Sequence, residues 1–291
     1  MLSRIAAIIF PVFAAAGVGW LYARWRRPDL TVINNLTMDV LAPLLVFWAL
    51  TSKPFSAAEF HDLILGGAAV ILGSGLLALP AIPLLKIQIK TFLPPMMFTN
   101  VGNMGIPLAL FAFGEAALQG AILLFIVEMV LHFTVGLYIM DHRTRPWHWL
   151  RMPIILALIA GLLCAAGGWT PPAPVLETCK LLGEASIPLM LLALGARFCE
   201  VGWGDWRIGL WGALLCPLSG IAAALLVRPW LDLTPLQDGQ LLLYAALPPA
   251  VFNYLVAERY RQEPERVAAV VLIGNLGSLI AVPATLYFAL P

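Results

Sequence analysis

Phe98-Thr-Asn-Val-Gly-Asn-Met-Gly-Ile-Pro107 decides how this chain is read. The stretch lies about halfway along an apolar segment, 91–113, long enough to cross a membrane. Thr99, Asn100 and Asn103 bring polar side chains to that depth, and Gly102, Gly105 and Pro107 are poor residues for a helix interior. In hydrocarbon every backbone N–H and C=O needs a partner, so an unwound turn survives only where it lines a cavity or is buried in protein. Secondary transporters build substrate and ion sites from helices broken at the bilayer midplane.

The composition agrees. The 291 residues are 61% hydrophobic and 11% charged, with a mean hydropathy of +0.91; soluble domains carry about 25% charged residues. The net charge of +1, with no basic run, offers nucleic acid no footprint. Cys164, Cys179, Cys199 and Cys216 form no Cys-x-x-Cys and read as small buried apolar residues. His61, His132, His142 and His148 lack metal-ligand spacing and no Gly-x-Ser-x-Gly is present, so neither an enzyme nor a metal site is expected. Residues 1–23 resemble a signal peptide, with Arg4 before an apolar run and Ala14-Ala-Ala16, but Arg24-x-Arg26-Arg27 anchors a retained helix instead.

Spans are predicted near 5–23, 32–51, 62–83, 91–113, 117–140, 152–169, 174–197, 207–228, 237–260 and 265–289. This is an all-α polytopic membrane protein with ten transmembrane helices. Thirteen of the 17 Lys and Arg then fall on one side, among them Arg24, Arg26, Arg27, Arg145, Arg151 and Arg197; Arg4, Lys53, Lys180 and Arg228 fall on the other. The positive side is cytoplasmic, so both termini face outward from the inner (plasma) membrane. Trp20, Trp25, Trp147, Trp149, Trp169, Trp203, Trp206 and Trp230 lie near span ends, as an interfacial belt does.

A shift of 145 residues partly repeats the chain: Asp39-x-x-x-Pro43 falls on Glu184-x-x-x-Pro188, and Asn103 on Pro248. With two more residues, Glu128 falls on Asn275. Each half, 1–145 and 146–291, holds an odd five spans, so the second repeat is inverted. Inverted repeats place the site between the halves, at a pair of broken helices, here spans 4 and 9. Counting at 1.5 Å per residue brings Asn100, Glu128, Pro248 and Asn275 to one level near the midplane.

Thr99-Asn-x-Gly-Asn-x-Gly-x-Pro107, with Pro248-Pro-Ala-Val-Phe-Asn-Tyr-Leu-Val-Ala-Glu-Arg-Tyr260, resembles the auxin efflux carrier family in its short bacterial members. The resemblance covers essentially the whole chain. It implies the fold of bile-acid sodium symporters: a scaffold domain of spans 1, 2, 6 and 7, and a transport domain of spans 3–5 and 8–10 with crossed broken helices. It further implies an elevator motion, a homodimer through the scaffold, and a small organic-anion substrate such as malate, malonate or an auxin. Two rivals stay open: a non-transporting receptor on the same fold, and a drug/metabolite exporter, whose ten spans lack paired broken helices.

The second half-helices, expected to start near Ile106 and Pro249, aim free N–H groups at one point and favour an anion. No Lys or Arg is expected at that depth. Candidate substrate residues are Asn100, Gly102, Asn103, Gly105, Pro248, Pro249, Asn253 and Asn275, the prolines chiefly making the breaks. Glu128, with His132 one turn on, is the candidate for proton or ion coupling, joined by Thr99; Glu128 alternatively locks span 5 to span 4. No cofactor is expected beyond an H⁺ or Na⁺ coupling ion, and uncoupled diffusion stays open. Asp39 and Glu184 fall in the scaffold, where they could pair. The membrane lipid is the remaining partner.

Overall fold

The computed structural model describes residues 1–53, 56, 58–143, 150–199 and 205–290. Arg145, Trp147, His148, Trp149 and Trp203 lie outside the described residues. Within them the protein is helical: α1 Leu2–Arg26, α2 Thr31–Thr51, α3 His61–Ala78, α4 Ile89–Met97, α5 Val101–Phe113, α6 Glu115–Met140, α7 Pro153–Ala166, α8 Ala173–Arg197, α9 Trp206–Trp230, α10 Pro235–Ala245, α11 Phe252–Arg259 and α12 Pro264–Ala289. A single turn, Ala81–Leu85, follows α3. Among the described residues seven helices (α1, α2, α3, α6, α8, α9 and α12) are long and apolar enough to cross a membrane. The chain is a polytopic membrane protein.

Local chemistry sets the boundaries. α1 ends where Arg27 turns left-handed (φ 47°), after Arg24 and Arg26 have met the negative end of its dipole. α10 starts on a capping box: Gln237 N–H donates to Thr234 Oγ1 (3.3 Å), and Thr234 N–H donates to Gln237 Oε1 (3.1 Å). α10 stops at Ala245 because Leu247 and Pro248 each precede a proline, which pushes them out of helical conformation. Trp25, Trp169, Trp206 and Trp230 stand exposed at helix ends, as interfacial anchors do.

The helices pack in two groups. In one, α1 lies along α8, and α7 and α8 lie along α2. The α1–α8 seam is a backbone contact: a Cβ on Gly195 would sit on the Ala16 carbonyl, and one on Gly19 on the Leu192 carbonyl. In the other, α9 lies along α3 and α12, α6 packs on α3, and α10 and α11 pack on α12. The groups meet where α1 touches α5 and α12, α8 touches the first turn of α5, and α2 touches α6.

The helix pairs α4/α5 and α10/α11 are each interrupted inside the second group. The interruptions differ from the expected positions. In the first, only 98–100 leave helical conformation; Val101–Gly105 form a π turn, so Asn103, Gly105 and Pro107 lie within α5. Pro107 is the second residue of the α-helical part, Ile106–Phe113, and stands where the π turn gives way to it. In the second, the helix restarts at Phe252 rather than Pro249.

Candidate functional site at the crossing

After Met97 the chain turns extended at Phe98 (φ −103°, ψ 109°) and meets the second interruption in an antiparallel bridge, Thr99 to Pro249. Asn100 N–H donates to the Pro248 carbonyl (2.7 Å), and Ala250 N–H donates to the Phe98 carbonyl (3.0 Å). Side chains complete the pairing. Asn253 Nδ2 donates to the carbonyls of Phe98 (2.9 Å) and Ala250 (3.0 Å). Asn275 Nδ2 donates to those of Pro249 (2.9 Å) and Val271 (2.8 Å), while its Oδ1 accepts from Asn100 Nδ2 (3.1 Å). Gly274 makes room for this approach, since a Cβ there would lie 2.7 Å from Pro249 Cδ. The carbonyls freed by two broken helices are thus satisfied deep in the protein, as a membrane interior requires.

Other groups at the crossing have no such partner. The N–H groups of Gly102 and Asn103 at the start of α5, and of Val251 and Phe252 at the start of α11, make no hydrogen bond among the described residues. Neither do the Asn103 carboxamide and the Thr99 hydroxyl. All six residue positions that carry or flank these groups (Thr99, Gly102, Asn103, Ala250, Val251 and Phe252) border one cavity of about 430 Å³, within the range of about 300–1,000 Å³ usual for small-molecule sites.

Glu128 and His132 form the opposite wall from α6. Both are buried, and Glu128 Oε1 lies 3.1 Å from His132 Nδ1. The imidazole stacks on Phe98 (4.2 Å between centroids, 10° between planes) and meets the Phe252 ring edge-on at 5.1 Å. Rings from both interruptions therefore fix its orientation, and a π turn at His132–Gly136 begins beside it.

The cavity continues toward the other helix group. Asn34, Asn35 and Asp39 of α2, the α7 start at Met152–Ile154, and Arg197 at the end of α8 border it. Arg197 makes no ion pair among the described residues. A cationic group at a helix end therefore borders this space, in addition to the two helix starts. Asp39 and Glu184 do not pair: Asp39 borders the cavity, and Glu184 is exposed, 3.9 Å from Lys180.

Of the candidates read from sequence, Thr99, Asn100, Gly102, Asn103, Glu128 and His132 come together on the cavity wall. Gly105, Pro248, Pro249, Asn253 and Asn275 do not border it. Asn253 and Asn275 spend their amides on backbone carbonyls, Pro248 and Pro249 lend theirs to the crossing, and Gly105 packs behind it on Leu247. A metal site of three or more His, Cys, Asp or Glu is absent among the described residues.

Residues 143–286 match the family model described as "Membrane transport protein". A protein of Rhizobium meliloti (strain 1021) named "Putative malonate transporter" is 25% identical over 325 aligned positions, covering 98% of this chain and 96% of the relative. Both findings support a membrane transporter of the auxin efflux carrier family. Within that family setting, the cavity residues that sequence alone did not single out are Arg197, Asn34 and Asn35, which looked like charges and amides at span ends. The signal that could have found them is their position at the same ends of α2 and α8, the ends that lie beside the arginine-rich end of α1.

Proposed function

We propose that this protein is a secondary transporter of small carboxylates and that the cavity at the crossing is its substrate site. One observation carries the reading: free N–H groups from two helix starts, the unpartnered Asn103 amide and the unpartnered Arg197 guanidinium border one space. Each helix start offers about half a positive charge, and hydrogen bonds to a charged group are worth about 1.5–3 kcal/mol. That is the chemistry of a carboxylate site, and malonate, named for the Rhizobium relative, is of this class.

The same reading takes α4/α5, α7 and α10/α11 as crossings beside the seven long helices, which makes ten spans in two inverted repeats, 1–145 and 146–291. The group α1, α2, α7 and α8 serves as the scaffold, with a homodimer formed through it, and the second group carries the site past it as an elevator. With the arginine-rich ends of α1 and α8 in the cytoplasm and both termini outside, the cavity, running from Asn103 to Arg197, opens inward. The Glu128–His132 pair is the proton site: its hydrogen bond holds one proton beside the arriving anion.

The test is uptake by purified protein in liposomes, with labelled malonate and other mono- and dicarboxylates, under separate proton and sodium gradients. Saturable uptake driven by a proton gradient supports the reading. Robust carboxylate uptake unaffected by either gradient removes the coupling role of Glu128, and absence of uptake for the whole panel removes the function.

A further inference from the structure

A second space lies at the boundary of the two helix groups, between α1 and α12. Its volume is about 1,190 Å³, nearly three times that of the carboxylate site. Its walls are apolar, with Phe13 and Trp20 from α1, Phe198 after α8, and Leu272, Leu276 and Leu279 from α12. Leu276 and Leu279 are also 41% and 46% exposed, and the adjoining Ile280 is 77% exposed, so this face of α12 continues onto an exposed apolar surface. At one end stand Arg24 and Arg27. Neither makes an ion pair among the described residues; Arg24 lies over the Trp20 ring at 5.3 Å, and the nearest acid in sequence, Asp29, is engaged by Thr31 N–H at 2.9 Å. The described residues that line the space include no Asp or Glu.

We infer that this space is a binding site for one anionic phospholipid of the cytoplasmic leaflet. The charge pattern selects the occupant. Apolar walls open to the membrane suit acyl chains, and two arginines at the membrane–water boundary, with no carboxylate among the described residues that line the space, suit a phosphate headgroup. A soluble carboxylate gains nothing from walls of Phe, Trp and Leu, and a zwitterionic lipid brings its own ammonium, a third cation, beside the two arginines. Gly17 borders the space, and a Cβ built there meets nothing within 4 Å; the missing side chain leaves room for the lipid. Because α1 and α12 belong to different groups, a lipid seated there touches both and bears on their relative movement.

The experiment adds phosphatidylglycerol, phosphatidylcholine or glycerol phosphate to delipidated protein in detergent and follows thermal unfolding. Native mass spectrometry counts the lipid retained. The wild type is expected to gain a saturable upward shift with phosphatidylglycerol at one lipid per chain, and none with glycerol phosphate. Arg24→Gln with Arg27→Gln should weaken phosphatidylglycerol at least about tenfold while leaving the lipid-free melting temperature unchanged. Gly17→Leu should abolish retention of the bound lipid by filling its place. Equal shifts with the two lipids in the wild type, or a phosphatidylglycerol preference that survives both variants, overturns the site. An equal shift with glycerol phosphate overturns the lipid assignment in favour of a free phosphate compound. Carboxylate uptake is not read here, so this result is independent of the transport reading.

Discussion

The two interruptions cross each other yet carry different chemistry. The first, at 98–100, and the π turn that follows it leave their polar groups unspent: the Thr99 hydroxyl, the Asn103 amide and the N–H groups of Gly102 and Asn103 all border the cavity without a partner among the described residues. The second, at 246–251, contributes Ala250 and Val251, with the Phe252 ring where its helix restarts, and the Asn253 amide nitrogen is committed to the carbonyls of Phe98 and Ala250. Two positions that the shifted sequence lays on each other differ in the same way: Glu128 borders the cavity, whereas Asn275 pins Pro249. Two broken helices need many hydrogen bonds to survive in hydrocarbon. Here the second half supplies most of them, which frees the first half to present unsatisfied groups to a ligand.

That division can be broken most severely at Asn275. Asn275→Ala strands the Pro249 carbonyl and the Asn100 amide in a buried site, at a cost of about 1–3 kcal/mol each. The expected result is a clear fall in the melting temperature of the ligand-free protein, with carboxylate binding lost alongside. Glu128→Gln sharpens the comparison in the other direction: the fold should hold, and uptake should lose its dependence on a proton gradient while carboxylate-induced stabilisation persists. Arg197→Gln should weaken carboxylate binding by about three- to tenfold at low salt and less at high salt, because a half-buried charge is partly screened; titration at two ionic strengths checks it. Glu184→Gln should change neither uptake nor stability, since that carboxylate is exposed and its contact with Lys180 is long.

Much of the fold was legible in the sequence because the membrane imposes simple rules. Apolar length located the helices, and clusters of Gly, Pro and Asn located the interruptions to within a few residues. The finer placement depended on tertiary contact. A run such as Gly102-Asn-Met-Gly105 is unfavourable in an isolated helix, yet it closes a π turn here because Asn100 N–H and the Phe98 carbonyl are held by the opposing chain. Residue type alone does not sort the four asparagines for the same reason: it does not reveal whether an amide is spent on a carbonyl 155 residues away, as that of Asn253 is. The amide nitrogens of Asn253 and Asn275 are spent, and the Asn103 carboxamide has no partner among the described residues. Arg197 escaped notice because a charge at a span end normally faces water, and only the approach of α8 to the first turn of α5 turns it toward the site.

The central claim is that the first interruption holds the anion and the second holds the first. Its most direct test is carboxylate-induced thermal stabilisation of purified wild type and Asn103→Ala, using the carboxylate that gives the largest wild-type shift. A ligand at 100 times its Kd stabilises by about 2.7 kcal/mol, enough to read a change in affinity. The expected result is an unchanged melting temperature without ligand and an affinity about 10- to 100-fold weaker in the variant. An Asn103→Ala protein that binds carboxylate as tightly as the wild type contradicts the account.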